Sequence, residues 1–324
     1  MSGYDLASII RRPGRVGLAD VERVETLTAG LRAVDYQYGG GCCRDSVVAL
    51  LAWGHQLLAA DCSGAVRKRL CVAVADLHNL AGWASFDTGM VDAARRHFDY
   101  ALELAKEGGN DALVANVLYR MGRVHLHHRS PEDALALFRL GQSVAGASGS
   151  SLMVSILSAN QAWAFAKLGK TEDALRQLGG AQDKFARADV AEAPPWARFF
   201  DYADLHAMIG TVHTELALHA DANHVRRAIP AFATALARYG EGTARSRAFN
   251  LVQLSLNHLL AGEVDHAAEV GAEAIDLAAT VKSTRIKDRI WPLKKEADRR
   301  RDHPAAVELS DRILMFMGTL RAAA

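Results

Sequence analysis

The sequence predicts an all-α chain of stacked helical hairpins, and two observations carry that prediction. The first is composition. Half of the 324 residues are apolar, only 7% are aromatic and seven are proline. Such a balance, rich in alanine and leucine, favours helices over sheets. The second is self-similarity at a fixed period. The stretches that start at Leu77, Val117 and Leu157 align without a gap, forty residues apart.

Each copy carries a small residue in its first helix (Gly82, Gly122, Ala162), and twelve residues later an alanine (Ala94, Ala134, Ala174). Four residues on comes a large apolar side chain (Phe98, Phe138, Leu178), then another small one (Ala101, Gly141, Ala181). This is the tetratricopeptide spacing, in which small residues let two antiparallel helices approach and the large one fills the gap. The generic period is about 34 residues; longer helices account for forty.

Taken in chain order, residues 1–20 read as a tail and 21–75 as a helical cap with helices over 21–36 and 45–60. Gly39-Gly40-Gly41 ends the first of these. Residues 76–281 hold five repeats, the middle of the chain being the most regular. Gly89, Ser130-Pro131 and Gly169 mark the turns between paired helices. Ser130 reads as an N-cap, Pro131 as the first helical residue, and Glu132 and Asp133 as acids in the first turn.

The fourth copy keeps Ala228, Phe232 and Ala235 but needs a longer turn over 219–224 after the helix around Gly210. The fifth is carried by Leu254, Gly262, Ala267 and Ala274. Ala193-Pro194-Pro195 breaks the array and predicts a new helix from Trp196. Residues 282–324 form a closing cap with helices over 285–300 and 305–320. One continuous right-handed superhelix follows.

In such a stack the first helix of each pair lines the concave surface. That register places Asp76, Asn79, Trp83 and Asp87 on it, then Asn116, Tyr119, Arg123 and His127, then Trp163 and Lys167. Amides can bond a peptide backbone through donor and acceptor, and Tyr and Trp supply contact area at little entropic cost. These ten form the expected ligand-binding groove, open to solvent. The competing account makes Trp83 and Trp163 inter-repeat core. The same positions of the last repeat, Phe249, Val252, Leu256 and Leu259, are all apolar. A slipped register, the closing helices or a second subunit would cover them. The stripe Ala306, Leu309, Ile313, Phe316 and Leu320 suits array capping, with homodimerisation as the alternative.

A formal charge of +1 gives no global pull towards nucleic acid or membrane. Nine basic residues against three acids between 282 and 301 make Lys294, Lys295, Arg299, Arg300 and Arg301 a candidate patch for an anionic partner. Charge runs on terminal helices are usually solvated faces, so direct nucleic-acid binding is not expected. Cys42, Cys43, Cys62 and Cys71 form no CxxC pair and read as reduced thiols. Neither a signal peptide nor a stretch of roughly 20 apolar residues is visible, so a cytoplasmic protein is expected.

His125, His127 and His128 lack a completing ligand set, and no metal or cofactor is expected. Leu168-Gly169-Lys170-Thr171 ends like a P-loop but lacks its leading glycine, Ala164 standing there, and its strand. Gly39–Gly41 ahead of a helix could hold an anion, although a flexible turn is the simpler account. Without a nucleophile elbow or HExxH motif, the chain is not expected to be an enzyme.

The run RVGLADVERVETLTAGLRAVDYQYGGG from Arg15, then DLHNLAGWASFDTG, then IWPLKKEADRRRDHPAAVELSDRIL near the end resembles the sensor region of actinobacterial tetratricopeptide-repeat transcriptional regulators. The likeness covers nearly the whole chain from Arg15. It implies a Cro/repressor-like helix-turn-helix domain ahead of the array, and signalling in development or specialised metabolism. Only fourteen residues precede Arg15, fewer than a helix-turn-helix domain needs. The expectation is therefore a sensor array without its DNA reader. It would bind a peptide or partner protein in its groove; the alternative is an adaptor that presents a precursor peptide or an enzyme in a biosynthetic pathway.

Overall fold

The computed structural model describes residues 14–240 and 242–322, the side chains of 319–322 excepted. Among these residues fourteen α-helices and two short 3-10 turns occur, with no strand. Helices α1 (Leu18–Tyr38) and α2 (Arg44–Leu58) form the N-terminal cap, joined by a turn at Gly40–Cys42. Five hairpins follow. They are α3 (Gly64–Asp87) with α4 (Val91–Glu107), α5 (Asp111–His127) with α6 (Pro131–Ala147), and α7 (Ser151–Lys167) with α8 (Thr171–Phe185). Then come α9 (Tyr202–His219) with α10 (Val225–Arg238), and α11 (Ala244–Ala261) with α12 (Val264–Ala278). Helices α13 (Arg285–Asp298) and α14 (Pro304–Ala322) complete the right-handed tetratricopeptide-like superhelix.

The repeat motif acts at the seam inside each hairpin. The second helices bury a single stripe, Ala94, Phe98, Ala101 and Ala105 on α4 and Ala134, Phe138, Gly141 and Ala145 on α6. The first helices α3, α5 and α7 are buried on nearly every face, because each touches its partner, its neighbours and the interior. A Cβ added at Gly122 would lie 2.3 Å from the Phe138 ring, so only glycine lets that ring seat. The third hairpin has buried Leu178 and Ala162 where the first two have a phenylalanine and a glycine. Each such buried anchor contributes about 2–3 kcal/mol by transfer from water.

The hairpin turns repeat every forty residues, with φ of +81° at Gly89, +60° at Arg129 and +69° at Gly169. Arg129 adopts the left-handed conformation without glycine, at a cost of about 1–2 kcal/mol. Pro131 opens α6 as expected, with Glu132 and Asp133 in its first turn, but the Ser130 side chain makes no capping hydrogen bond. The longer fourth turn is a 3-10 turn at Ala222–His224.

The helix expected from Trp196 does not form. Residues 186–201 are an irregular segment, and α9 starts at Tyr202 with Asp201 accepting from the Asp204 N–H. Trp196 and Phe200 are buried in the core shared with the first three repeats, and only isolated turns form here, such as the Arg198 N–H donating to the Pro194 carbonyl at 3.2 Å. The apolar face of the last repeat is covered by the closing helices: Phe249, Val252, Leu256 and Leu259 share a core with Ile286, Ile290 and Leu293 of α13. Ala306, Leu309, Ile313 and Phe316 of α14 are buried, with α14 packed on α12 and α13; the Leu320 side chain lies outside the described residues.

The two ends of the array meet. The Lys282 N–H donates to the Tyr38 carbonyl at 2.8 Å, and the Gly41 N–H donates to the Lys282 carbonyl at 3.1 Å. The Thr284 N–H donates to the Asp87 carbonyl at 2.8 Å. Glycine is required here: a Cβ at Gly40 would lie 2.8 Å from the Ala84 backbone, and Gly39 sits at φ +87° against Lys282. The first repeat, the N-terminal cap and the segment before α13 thus close the superhelix into a ring. None of the described helices is long and apolar enough to cross a membrane.

Candidate functional site

Closure is made by buried ion pairs. Arg32 of α1 donates to both carboxylate oxygens of Asp76 at 2.6 Å. Arg245 of α11 grips Asp35 with two parallel bonds of 2.8 and 2.9 Å. Asp87, at the end of α3, takes the Gly40 N–H and the Ser283 hydroxyl at 2.7 Å each, together with Arg285. Arg245 lies 3.5 Å from it on the other side. Burial opposes ionisation of Asp87, yet Arg285 and Arg245 outweigh it and hold the carboxyl below its ordinary range. The anion at the Gly39–Gly41 turn is therefore the protein's own carboxylate.

Behind this closure lies a central cavity of about 120 Å³. Its wall is drawn from both ends and much of the array: Tyr36 of α1, Trp83 of α3, Tyr119, Arg120 and Arg123 of α5, Phe199 of the irregular segment, Asp204 of α9, Arg245 and Phe249 of α11, and Arg285 and Arg289 of α13. Arginines lie on aromatic faces throughout. Arg120 is 5.3 Å from the Trp83 ring, Arg123 4.8 Å from Trp163, and Arg289 4.6 Å from Phe249.

The ten residues expected to line an open groove are brought to this interior, but the face they form is curled shut and mostly buried. Trp83, Tyr119 and Arg123 line the cavity. Asp76 and Asp87 belong to the closing ion pairs. Asn79 and Asn116 are wholly buried and bonded to one another at 2.9 Å. Asn116 also donates to the Trp196 carbonyl at 3.4 Å, so the irregular segment already uses the amide expected for a ligand's backbone. Tyr119 stacks on Phe199 of that segment at 5.8 Å.

Farther round, the Trp163 indole N–H donates to Glu215 at 3.0 Å and Lys167 pairs with Glu215 at 2.7 Å. Burial opposes the charge on Glu215, but His219, Lys167 and Trp163 pull its carboxyl down to about 2. His127 sits between Phe86 and Trp163, at 5.3 and 6.1 Å. Burial, then Arg289 and Arg285, drive its pKa far below the ordinary histidine range.

The residues that sequence reasoning missed are Asp35, Arg120, Arg245, Arg285 and Arg289. A signal existed for the last two, which stand four apart in the basic cluster and so share one helical face. That face turns inward, whereas the expected patch lies on the other side and is largely neutralised. Lys294 is buried and bonded to Asp298 at 2.6 Å; Arg299, at 2.8 Å, and Arg300 pair with Glu296. Of the five, Lys295, Arg299 and Arg301 are exposed. Among the described residues no group of three or more His, Cys, Asp or Glu is placed to hold a metal ion.

No family model matches the chain, and no curated protein matches it in sequence. Solved structures do match in shape. A Rap protein, complexed with competence and sporulation factor, is 12% identical with a TM-score of 0.54, covering 94% of this chain and 100% of its own. BtubC from P. vanneervenii is 17% identical with a TM-score of 0.50, covering 73% and 89%. At these identities the likeness is one of fold. The match to the Rap protein covers nearly all of this chain, so the shared architecture is that of the helical array.

Proposed function

We propose that this chain is a non-catalytic regulatory repeat protein that receives a peptide or partner protein on the inner face of its superhelix. The observation that carries this reading is the make-up of that face. Arginines, aromatics and amides from six helices converge there, where a purely structural solenoid would place apolar side chains or leave solvent. Binding a peptide requires the ring to loosen, and the buried ion pairs at Asp35 and Asp87 are the contacts that would rearrange. Small rotations between neighbouring repeats accumulate along a superhelix, which is how occupation of the interior would be transmitted to its ends.

Two further lines support the reading. The likeness in fold includes a protein complexed with competence and sporulation factor. The resemblance of the sequence to sensor regions of actinobacterial regulators points to transcriptional or developmental signalling, in the cytoplasm.

Affinity capture from the native cell extract, with mass spectrometry of the eluate, tests it. Wild-type protein is expected to retain a specific peptide or protein, and Arg123→Gln to reduce its recovery tenfold or more while remaining folded by circular dichroism. Equal recovery by the two proteins would overturn the reading.

A further inference from the structure

The charges around the central cavity do not balance. Five arginines and one carboxylic acid line it. Arg245 is matched by Asp35 and Arg285 by Asp87, and farther out Arg32 by Asp76. Arg120, Arg123 and Arg289 form no ion pair among the described residues. Arg120 donates to the Asn79 carbonyl at 2.9 Å. Arg123 reaches the Tyr119 hydroxyl at 3.3 Å and Asn160 at 3.4 Å, and leaves its buried Nε without a partner. Arg289 makes no hydrogen bond among the described residues, and its Nε is buried.

Desolvating an unpaired cation costs several kcal/mol, whereas a cation–π contact returns about 0.5–2 kcal/mol. The aromatic faces beneath these arginines thus offset only part of the cost. The strain is visible at Arg289: burial, then Arg123 and Arg285, pull its pKa down to about 9. Asp204 is a weak counter-charge, since burial and the neighbouring Asp201 push its carboxyl well above the usual range.

We propose that the central cavity is a binding site for a compact oxyanion of two or three negative charges, a phosphate or small polycarboxylate, gripped by Arg120, Arg123 and Arg289. The guanidinium fork suits this chemistry, because its parallel N–H groups meet phosphate or carboxylate oxygens in pairs. Size agrees: about 120 Å³ is the space of roughly four waters, enough for a small anion and far too little for a folded partner. Trp83, Tyr119 and Phe249 line the site and lower the polarity around it, which strengthens each charge contact. The inference rests on the reading of the ring interior as the binding face and names the chemistry that face accepts.

Isothermal titration and thermal melts of the full chain with pyrophosphate, inorganic phosphate and citrate test it, against sodium chloride at matched ionic strength. At least one of the three is expected to bind and to raise the melting temperature above the chloride control. A preference for the phosphates or for citrate identifies the source of the oxyanion. Arg289→Gln and Arg123→Gln should each weaken binding tenfold or more, and Arg299→Gln on the outer face should leave it unchanged. Without anion, Arg289→Gln should melt no lower than wild type, because the change removes an unmatched buried charge.

No binding beyond the chloride control, or an affinity untouched by Arg289→Gln, overturns the inference. If anions fail but Arg123-dependent capture of a peptide or protein persists, the functional reading stands and this inference alone falls. If anions bind through the three arginines and capture fails, the reverse holds.

Discussion

The seams within the hairpins and the interior of the ring are built from opposite materials. A seam is local and apolar: Phe138 fits over Gly122 sixteen residues away, in a contact repeated by Phe98 over Gly82 and Phe232 over Gly210. The interior is long-range and charged, joining residues as far apart as Asp35 and Arg245. The difference teaches where robustness and adaptability reside. A seam gains from burial and shape alone, so it tolerates no rearrangement. The interior is held by ion pairs whose attraction is balanced against desolvation, so small changes in charge can alter it.

Emptying a seam should have the largest effect. Phe138→Ala is expected to lower stability by about 3–5 kcal/mol, read in urea unfolding; a loss below 1 kcal/mol would mean that the seam is not the main support. Asp87→Asn weakens the closure while leaving every seam intact, and should cost about 3 kcal/mol. Its specific mark is faster amide exchange at residues 39–43 and 280–285 with the hairpins still protected. Uniformly faster exchange would show that closure and hairpins unfold as one unit, erasing the distinction.

Acid separates the two regions by pH window. Glu215 in the interior ionises at about 2 against an ordinary 4.5. Its contribution, about 2–3 kcal/mol after allowing for partial exposure, is complete above pH 4.5 and is lost as pH falls towards 2. His78 lies in the outer layer, 3.1 Å from both His55 and His97. Burial and those two neighbours hold its pKa at about 3 against an ordinary 6.5. The unfolded chain therefore takes up that proton first, and stability falls as pH drops from 6.5 towards 3. His78→Gln should shrink the decline between pH 6.5 and 4.5 and leave the lower window in place; melts across pH with unchanged profiles would refute the assignment. Smallest of all, Lys295→Ala and Arg301→Ala on the outer face of the C-terminal cap should each change stability by less than about 0.5 kcal/mol.

Legibility in the sequence followed the range of the interactions. Gly82, Ala94 and Phe98 and their counterparts announced the hairpins because their contacts lie within one repeat. Arg129 kept the turn period even where glycine was absent. The inward register of Trp83, Tyr119 and Arg123 was equally readable, since the first helix of a pair faces the concave side. Trp196 misled because a Pro-Pro step followed by apolar residues looks like a helix start; its burial against α5 and α7, and not its local preference, set its conformation. Arg285 and Arg289 were hidden in a basic run, where composition counts charges and only helical phase separates inner from outer ones.

The sequence by itself determined the helices, their pairing and the sense of the superhelix, because small and large residues at fixed spacing leave one way to pack neighbouring helices. Only the tertiary structure decided that the array closes, and with it the burial of Asp35, Asp87, Arg245 and Arg285. Closure sums small rotations over five hairpins, and no short-range pattern records that sum. The same step turned a face that reads as an open groove into a charged interior, and left three arginines there without an ion pair among the described residues.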